Sequence, residues 1–370
     1  MSDAVVENAL RRCAEAVARL GDGGLPTTCI RLFSGRADGC DGVLVDRLGA
    51  LVVATDYRAP GPAARPGGQG DSAKDSARRL LELVQGVHGD VPIVVKARGH
   101  EKGSDSFVCI RSLPPLLAPP DGPAAAPLAI AMSMSAPAPL VGLERGMRFE
   151  IGTDPAHDFG IFLDAGKARQ HVRDVARGLD VLNLFSYTAA FGVAAAVGGA
   201  ASVTNVDPNR DYLAWGLRNA ALNQVAQRVL PDTAQDFLRK HARRMARDPA
   251  KKGFDLVILD PPAFGVGRGR DRLMRLLWPE LFAALRGMRP RHVVLLCNDK
   301  YLRARRDFVD FVQAELGADY QLARLGTCFR IEELAAAAAP GSVPPPLDWR
   351  PDRPEDPFYV EPVVLAGRLR

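Results

Sequence analysis

From residue 146 onward, short apolar runs alternate with stretches of helical spacing, and this pattern restricts the fold more than any other feature. Strand-like segments at 148–151, 180–185, 202–207, 254–259 and 292–297 are interleaved with helix-like ones at 167–176, 188–197, 210–222, 234–246, 270–286 and 303–316. Strands buried on both faces read as continuous apolar runs, and strand–helix alternation builds a parallel sheet covered by helices on both sides. Two last strand-like segments, 321–331 and 358–366, have no long helix between them, only an Ala/Pro-rich loop at 335–357. They predict an antiparallel hairpin at one edge. The expected fold is α/β, a Rossmann-like and mostly parallel sheet with an antiparallel edge strand.

The front of the chain reads differently. A helix over 4–20, stopped by Gly21-Asp22-Gly23-Gly24, precedes strands at 28–33, 42–46 and 50–57, with a turn at 46–49. An exposed loop at 58–72, a helix at 75–87 and a strand at 92–97 complete a small α+β unit. Residues 114–140 hold too much Pro and Ala, and too little bulky apolar surface, to form a core. The expected organisation is an α+β domain over 1–113, a linker or long loop over 114–145, and a catalytic domain over 146–370.

Lys plus Arg exceeds Asp plus Glu by 48 to 43, a net charge of +5 that permits nucleic-acid binding without requiring it. The six cysteines form no C-x-x-C pair, so neither a metal cluster nor a disulfide framework is expected, and a reducing cytoplasm fits. No signal peptide is legible, and no apolar run approaches the roughly 20 residues needed to span a bilayer. A cytoplasmic protein without metal or membrane is expected; the sequence leaves monomer and homodimer open.

In doubly wound sheets, ligands sit beyond the carboxyl ends of the central strands. Three such ends carry chemistry here. The first, Asn183-Leu184-Phe185-Ser186-Tyr187-Thr188, runs from strand into helix without the G-x-G-x-x-G that lets a backbone close around a pyrophosphate. A phosphate-free cofactor such as S-adenosyl-L-methionine tolerates this bulkier turn; alone, the segment reads better as an ordinary strand and helix start. The second, Asp207, stands 24 residues after Asn183, where an acid can accept ribose hydroxyls, although it could equally cap the next helix. The third is Asp260-Pro261-Pro262-Ala263-Phe264. Paired prolines stiffen that loop and remove N–H groups, so Asp260 and the loop carbonyls can face a ligand and Phe264 can stack on a base; a rigid turn with a core Phe is the lesser alternative beside the two preceding strand ends.

With Phe159-Gly160-Ile161-Phe162-Leu163-Asp164 and with Tyr212, Trp215, Asn219 and Asn223, these segments resemble the bacterial large-subunit 23S rRNA methyltransferases. That family has a cytosine-C5 branch (I type) and a guanine-N7 branch (K type). The resemblance spans about residues 28–330, the front unit included, and lacks the I type's amino-terminal PUA domain. It implies that 183–188 hold the methionine end of the cofactor, that Asp207 holds the ribose, and that Asp164 and Arg169 close the pocket. It also implies that Asp260, Pro261 and Phe264 line the junction between methyl group and target base. The chain departs from the family at Ala189-Ala190, where a Gly usually follows the Thr, and at Gly166, which replaces an Arg. A strand-three Asp aligns with Thr233, beside Asp232, and both are candidate cofactor residues.

Cytosine C5 requires attack by a thiolate, whereas guanine N7 offers a free lone pair and needs only orientation. Strand five ends Leu296-Cys297-Asn298-Asp299-Lys300, which places Asn298 where the I type has its cysteine. A one-residue offset points a strand side chain to the other face, so Cys297 reads as a buried small apolar residue and the chemistry leans to purine N7. RNA, ribosomal in particular, is the expected partner. Arg268, Arg270, Arg272 and Arg275 follow the Asp-Pro-Pro, and Arg303, Arg305 and Arg306 follow strand five, with Lys300 beside them; Arg268, Arg270 and Lys300 are candidate substrate contacts. The basic run 239–252 reads as a solvated helix face, and His157 and His171 as structural. A small-molecule or protein acceptor, a cytosine-C5 enzyme and a non-catalytic RNA binder are the competing readings.

Overall fold

The computed structural model describes residues 4, 6–8, 10, 11, 14, 27–34, 42–56, 73–89, 91–97, 107–111, 140–152, 159–248, 253–262, 277–298, 302–326, 328 and 363–370. The 58–72 loop, nearly all of the 114–140 segment, the 335–357 loop, His157, Phe264, Arg268, Arg270, Arg272, Arg275, Asp299 and Lys300 lie outside the described residues. The chain divides into two compact units, Met1–Leu163 with Phe329–Pro344, and Asp164–Cys328 with Pro345–Arg370.

The first unit is a five-stranded sheet in sequential order: β1 (Cys29–Ser34), β2 (Val43–Leu48), β3 (Leu51–Asp56), β4 (Ile93–Ala97) and β5 (Phe107–Arg111). Helix α1 (Ala73–His88) connects β3 to β4, the one parallel pair of this sheet, as a crossover must; the other pairs are antiparallel. The turn expected at 46–49 is tighter, because β2 runs to Leu48 and β3 resumes at Leu51. Gly49 makes this possible: its φ is +65°, and a Cβ there would lie 2.6 Å from the Val141 carbonyl oxygen. Arg31 and Asp46, paired across β1 and β2, form a two-pronged ion pair at 2.8 and 3.1 Å. A hairpin, β6 (Val141–Glu144) and β7 (Met147–Glu150), joins this unit through the Thr28 N–H, which donates to the Leu143 carbonyl at 2.7 Å. The strand expected near 148 is therefore the second arm of a hairpin, and the units divide after Leu163 rather than near 146.

The second unit is a seven-stranded sheet. In chain order its strands are β8 (Asp180–Leu184), β9 (Ser202–Asp207), β10 (Arg228–Pro231), β11 (Leu256–Leu259), β12 (His292–Cys297), β13 (Tyr320–Leu325) and β14 (Val363–Leu369). In space they run β10-β9-β8-β11-β12-β14-β13, the first five parallel and β14 antiparallel to both neighbours. The expected hairpin is present, with β14 inserted beside β12 and β13 at the edge. β10 escaped the pattern reading because its four residues, Arg-Val-Leu-Pro, are half-buried or exposed and carry no apolar run. The helices are α2 (Gly166–Val175), α3 (Ala190–Val197), α4 (Arg210–Leu222), α5 (Ala234–Arg247), α6 (Trp278–Met288) and α7 (Leu302–Leu316). Leu182, Leu184, Val257, Leu259, Val293 and Leu295 form the sheet's side of a core that Trp278, Phe282 and Phe308 fill from the helices. The strand order reverses between β8 and β11, and in such sheets the carboxyl ends at that switch point are where ligands bind.

Candidate active site at the strand tips

The β8 tip is built from backbone strain and neutral amides. Phe185, Tyr187 and Ala189 all adopt left-handed backbone, at φ of +58°, +47° and +57°, so the turn zigzags and α3 starts at Ala190, two residues later than its pattern suggests. Such conformations cost non-glycine residues about 1 kcal/mol or more each, and persist only where the surroundings enforce them. The enforcing contacts are visible. The Ser186 N–H donates to the Val206 carbonyl (3.1 Å), the Tyr187 N–H to the Asp207 carboxylate (3.0 Å), and the buried Asn219 amide to the Thr188 carbonyl (3.0 Å). Beneath the turn, Asn183 donates to Asn205 at 2.8 Å, Asn205 to Gln227 at 3.0 Å, and Gln227 to the Gly216 carbonyl at 2.8 Å. Gly192 leaves room for that chain of amides: a Cβ there would lie 2.3 Å from Asn205 Oδ1 and 2.6 Å from Gln227 Oε1.

Asn205, Gln227 and Asn219 were not singled out as site residues from the sequence. A signal existed: Asn183 and Asn205 sit mid-strand in apolar runs and in register, and a buried amide must find a partner. The tyrosine of the turn is held too, edge-on to Tyr212 with ring centroids 4.5 Å apart and 6.4 Å from Trp215. The alanine replacing the family's glycine does not fill the crevice. The Ala189 methyl faces α4, where a Cβ on Gly216 would come within 2.8 Å of it, so a glycine there makes room for the alanine here.

Asp207 ends β9 with its two oxygens accepting the N–H groups of Tyr187 (3.0 Å) and Asn209 (2.9 Å). Asn209, not Asp207, caps α4, by accepting from Asp211 and Tyr212. Burial pushes the Asp207 carboxyl up from its ordinary value, and the two N–H donors oppose that. Each oxygen retains a lone pair for a further donor. Past β10, Thr233 is committed to capping α5 through the Asp236 N–H (3.1 Å), and Asp232 pairs with Lys240 Nζ at 2.6 Å. The strand-three position is thus divided between a helix cap and an ion pair.

Asp260 and Asn298 close the other side of the switch point. The Asn298 amide nitrogen donates to Asp260 Oδ1 at 2.6 Å and to the Pro261 carbonyl at 3.3 Å, tying the tip of β11 to that of β12. Burial pushes the Asp260 carboxyl up to about 7; Asn298 opposes the shift, Asp164 adds to it and Arg169 opposes it. Arg169 is buried in α2, its guanidinium carbon 5.9 Å from the Phe191 ring centre, and Asp164 sits in the single 3-10 turn just before α2. Asp164, Arg169, Asp260 and Asn298 therefore converge as the sequence suggests, while Cys297 is 3% exposed and packed in the core. His171 is not at the tips. Burial chiefly lowers its pKa, followed by the influence of His292, which opens β12 at the opposite end from the strand tips.

Two buried polar atoms at the β8 tip, Asn183 Oδ1 and Ser186 Oγ, have no hydrogen-bond partner among the described residues. Unpaired buried polar atoms are costly, and a polar ligand in the turn is a normal way to satisfy them. With the spare lone pairs of Asp207 and no glycine cradle for phosphate, the turn fits a nucleoside cofactor without a pyrophosphate.

Comparison with known proteins agrees. The pattern of the S-adenosylmethionine-dependent methyltransferase family matches residues 137–283. A candidate SAM-dependent methyltransferase of Streptococcus mutans has the same fold at TM-score 0.62 and 20% identity, covering 98% of this chain and 81% of the other. A SAM-dependent methyltransferase from Agrobacterium tumefaciens follows at TM-score 0.53 and 18% identity, covering 93% and 90%. The fold is a Rossmann-like α/β sheet, and the stretch 137–283 is similar to S-adenosylmethionine-dependent methyltransferases. Among curated proteins the chain is similar to the ribosomal RNA large subunit methyltransferase K/L of Alteromonas mediterranea, 31% identical over 243 residues, 64% of this chain and 29% of that protein. The protein of the same name from Shewanella frigidimarina is 29% identical over 222 residues, 60% of this chain and 27% of that one. The chain spans less than a third of the length of these curated relatives, and the resemblance read from the motifs is to the same group of enzymes.

Among the described residues, no helix is long and apolar enough to cross a membrane, and no group of three or more His, Cys, Asp or Glu is placed to hold a metal ion.

Proposed function

We propose that this protein methylates a base of large-subunit ribosomal RNA, and that the acceptor is guanine N7. The observation that carries the reading is the pairing of Asp260 with Asn298 at the switch point, with the sulfur of Cys297 withdrawn into the core. Cytosine C5 chemistry needs a thiolate at that corner; a purine N7 needs only a lone pair held in line. S-adenosyl-L-methionine supplies an electrophilic methyl on a cationic sulfur. As the N7–methyl bond forms and the sulfur–carbon bond breaks, the positive charge passes from sulfur to the purine and no proton is removed.

The residues divide the work accordingly. Asn183, Ser186 and the 185–188 backbone orient the methionine end, Asp207 accepts from the ribose hydroxyls, and Asp232 lies beside that position. Asp260, when ionised, sets a carboxylate near the charge throughout the transfer, and such preorganised charge acts strongly in a water-poor site. Asn298 fixes that carboxylate and the Pro261 carbonyl, while Arg169 of α2 and Asp164 in the turn before it tune the carboxylate. Phe264 stacks on the base, and Arg268, Arg270 and Lys300 hold RNA phosphates.

Nucleoside mass spectrometry of ribosomal RNA from cells lacking the gene tests this. One methylated guanine should disappear and return on complementation. Loss of 5-methylcytosine instead, or methyl transfer only to small molecules or protein, refutes the acceptor.

A further inference from the structure

We propose that α5 is a second RNA-contacting surface, a stripe of arginines that grips the phosphate backbone of the substrate away from the target base; this rests on the RNA reading above. The helix carries five cations, Arg239, Lys240, Arg243, Arg244 and Arg247, against one carboxylate, Asp236. That local +4 compares with +5 for the whole chain. The cations fall at positions i, i+1, i+4, i+5 and i+8, which is one face of a helix, while Ala234, Phe237 and Leu238 face the core.

The carboxylates around the stripe reach only its first turn. Arg239 pairs with Asp236 at 3.2 Å and with Glu280 of α6 at 3.0 Å, and Lys240 pairs with Asp232 at 2.6 Å. Arg243, Arg244 and Arg247 are exposed and have no ion-pair partner among the described residues. Attraction to the helix dipole accounts for Arg244 and Arg247 in the last turn, not for the row. Arg239–Arg243, Arg243–Arg247 and Lys240–Arg244 are like-charge pairs one turn apart, which weaken a helix unless an anion lies over them.

The position suits a long substrate. Thr233 caps α5 immediately past β10, whose last residue, Pro231, is in register with Asp207. At 1.5 Å per residue the stripe therefore runs from about 8 Å to about 20 Å down the flank from the strand tips. A free nucleotide in the crevice cannot reach it; a folded RNA can. Four of the five cations are arginines, whose planar forks match phosphate oxygens, and the exposed face offers no bulky apolar side chain to a membrane.

The test replaces Arg243, Arg244 and Arg247 together by Gln in the full chain and measures binding and methyl transfer on an in vitro transcribed large-subunit rRNA fragment. At about 0.15 M salt the dissociation constant and KM should rise about tenfold or more, with kcat and S-adenosylmethionine affinity unchanged. Each phosphate contact adds about 0.7 to 0.9 to the dependence of log affinity on log salt, so the slope should fall by about two to three. The triple Lys variant, which keeps the charge, should recover most of the affinity. Wild-type affinity and slope in the Gln variant overturn the stripe and leave the RNA reading standing. Loss of RNA binding in a chain that methylates no RNA keeps the stripe and sinks the reading. A wild-type chain that binds anionic vesicles or acidic protein but not RNA overturns both.

Discussion

The two halves of the strand-tip crevice are built on different principles. On the β8–β9 side the hydrogen bonds described above run to backbone groups, neutral amides or a carboxylate accepting backbone N–H groups, and residues 185, 187 and 189 are locked in left-handed backbone. On the β11–β12 side a single amide clamps a carboxylate whose pKa burial has carried to about 7. The first half is a fixed mould, because neutral amides keep their hydrogen bonds whatever the pH. The second half changes charge near pH 7. A mould suits a cofactor that is the same in every turnover; an adjustable charge suits the place where charge moves.

The largest effect expected from disturbing this contrast is at Gly192. Gly192→Ala drives a methyl into the Asn205–Gln227 amides and leaves buried groups unpaired, so unfolding in denaturant should show a loss of about 3 kcal/mol. Cofactor affinity by calorimetry should fall with it; an unchanged transition midpoint would mean that the amide chain is not what holds the mould.

Asp260→Asn attacks the other half. We expect kcat to fall about 100-fold with cofactor affinity nearly unchanged, the scale of losing one preorganised charge. In the wild type, activity should rise with pH through about 7 as Asp260 ionises, and that rise should vanish in the variant. Stability follows the opposite sign. A carboxyl whose folded pKa lies above its unfolded value near 4 favours the folded state at low pH, and that advantage is lost as pH rises toward 7. The Asn variant should therefore be more stable than wild type at pH 8, by up to roughly 4 kcal/mol at about 1.4 kcal/mol per pKa unit, and gain nothing at pH 4. A flat wild-type profile between pH 6 and 8 counts against the adjustable half.

Asp207→Ala should weaken S-adenosylmethionine binding about 30-fold, roughly 2 kcal/mol for a charged hydrogen-bond acceptor, and leave kcat at saturating cofactor within a fewfold of wild type. Equal losses in both constants would blur the division between the halves. The smallest change is Ala189→Gly. It relieves one left-handed residue at φ +57° and adds chain entropy to the unfolded state, so a net gain below about 1 kcal/mol is expected in thermal melts.

Much of this was legible beforehand. Helix α4 begins and ends where its pattern does, because Asn209 caps it and an apolar face runs its length. Strand β12 is found whole, since a buried parallel strand is a continuous apolar run. β10 and β6 were not legible: each is four residues long and carries no period. Asp260 stood out as a carboxylate at the tip of an apolar strand, whereas Asn298, Asp164 and Arg169 were reached only through the family resemblance. The Asn205–Gln227 bond and the Asn219 bond to the Thr188 carbonyl were missed because their members come from a strand, loops and a helix, and only packing shows which of them pair.

What the chain's order of residues decided alone is the layered sheet, the acidic and proline-bearing strand ends and the absence of a phosphate-binding glycine turn. These depend on periods and on chemistry local to a few neighbouring residues. What needed the folded molecule is the left-handed zigzag at 185–189, the fit of Ala189 against Gly216, and the shift of Asp260 toward neutrality. Each depends on how much water is excluded and which distant groups stand within a few ångströms, and no stretch of sequence carries that information by itself.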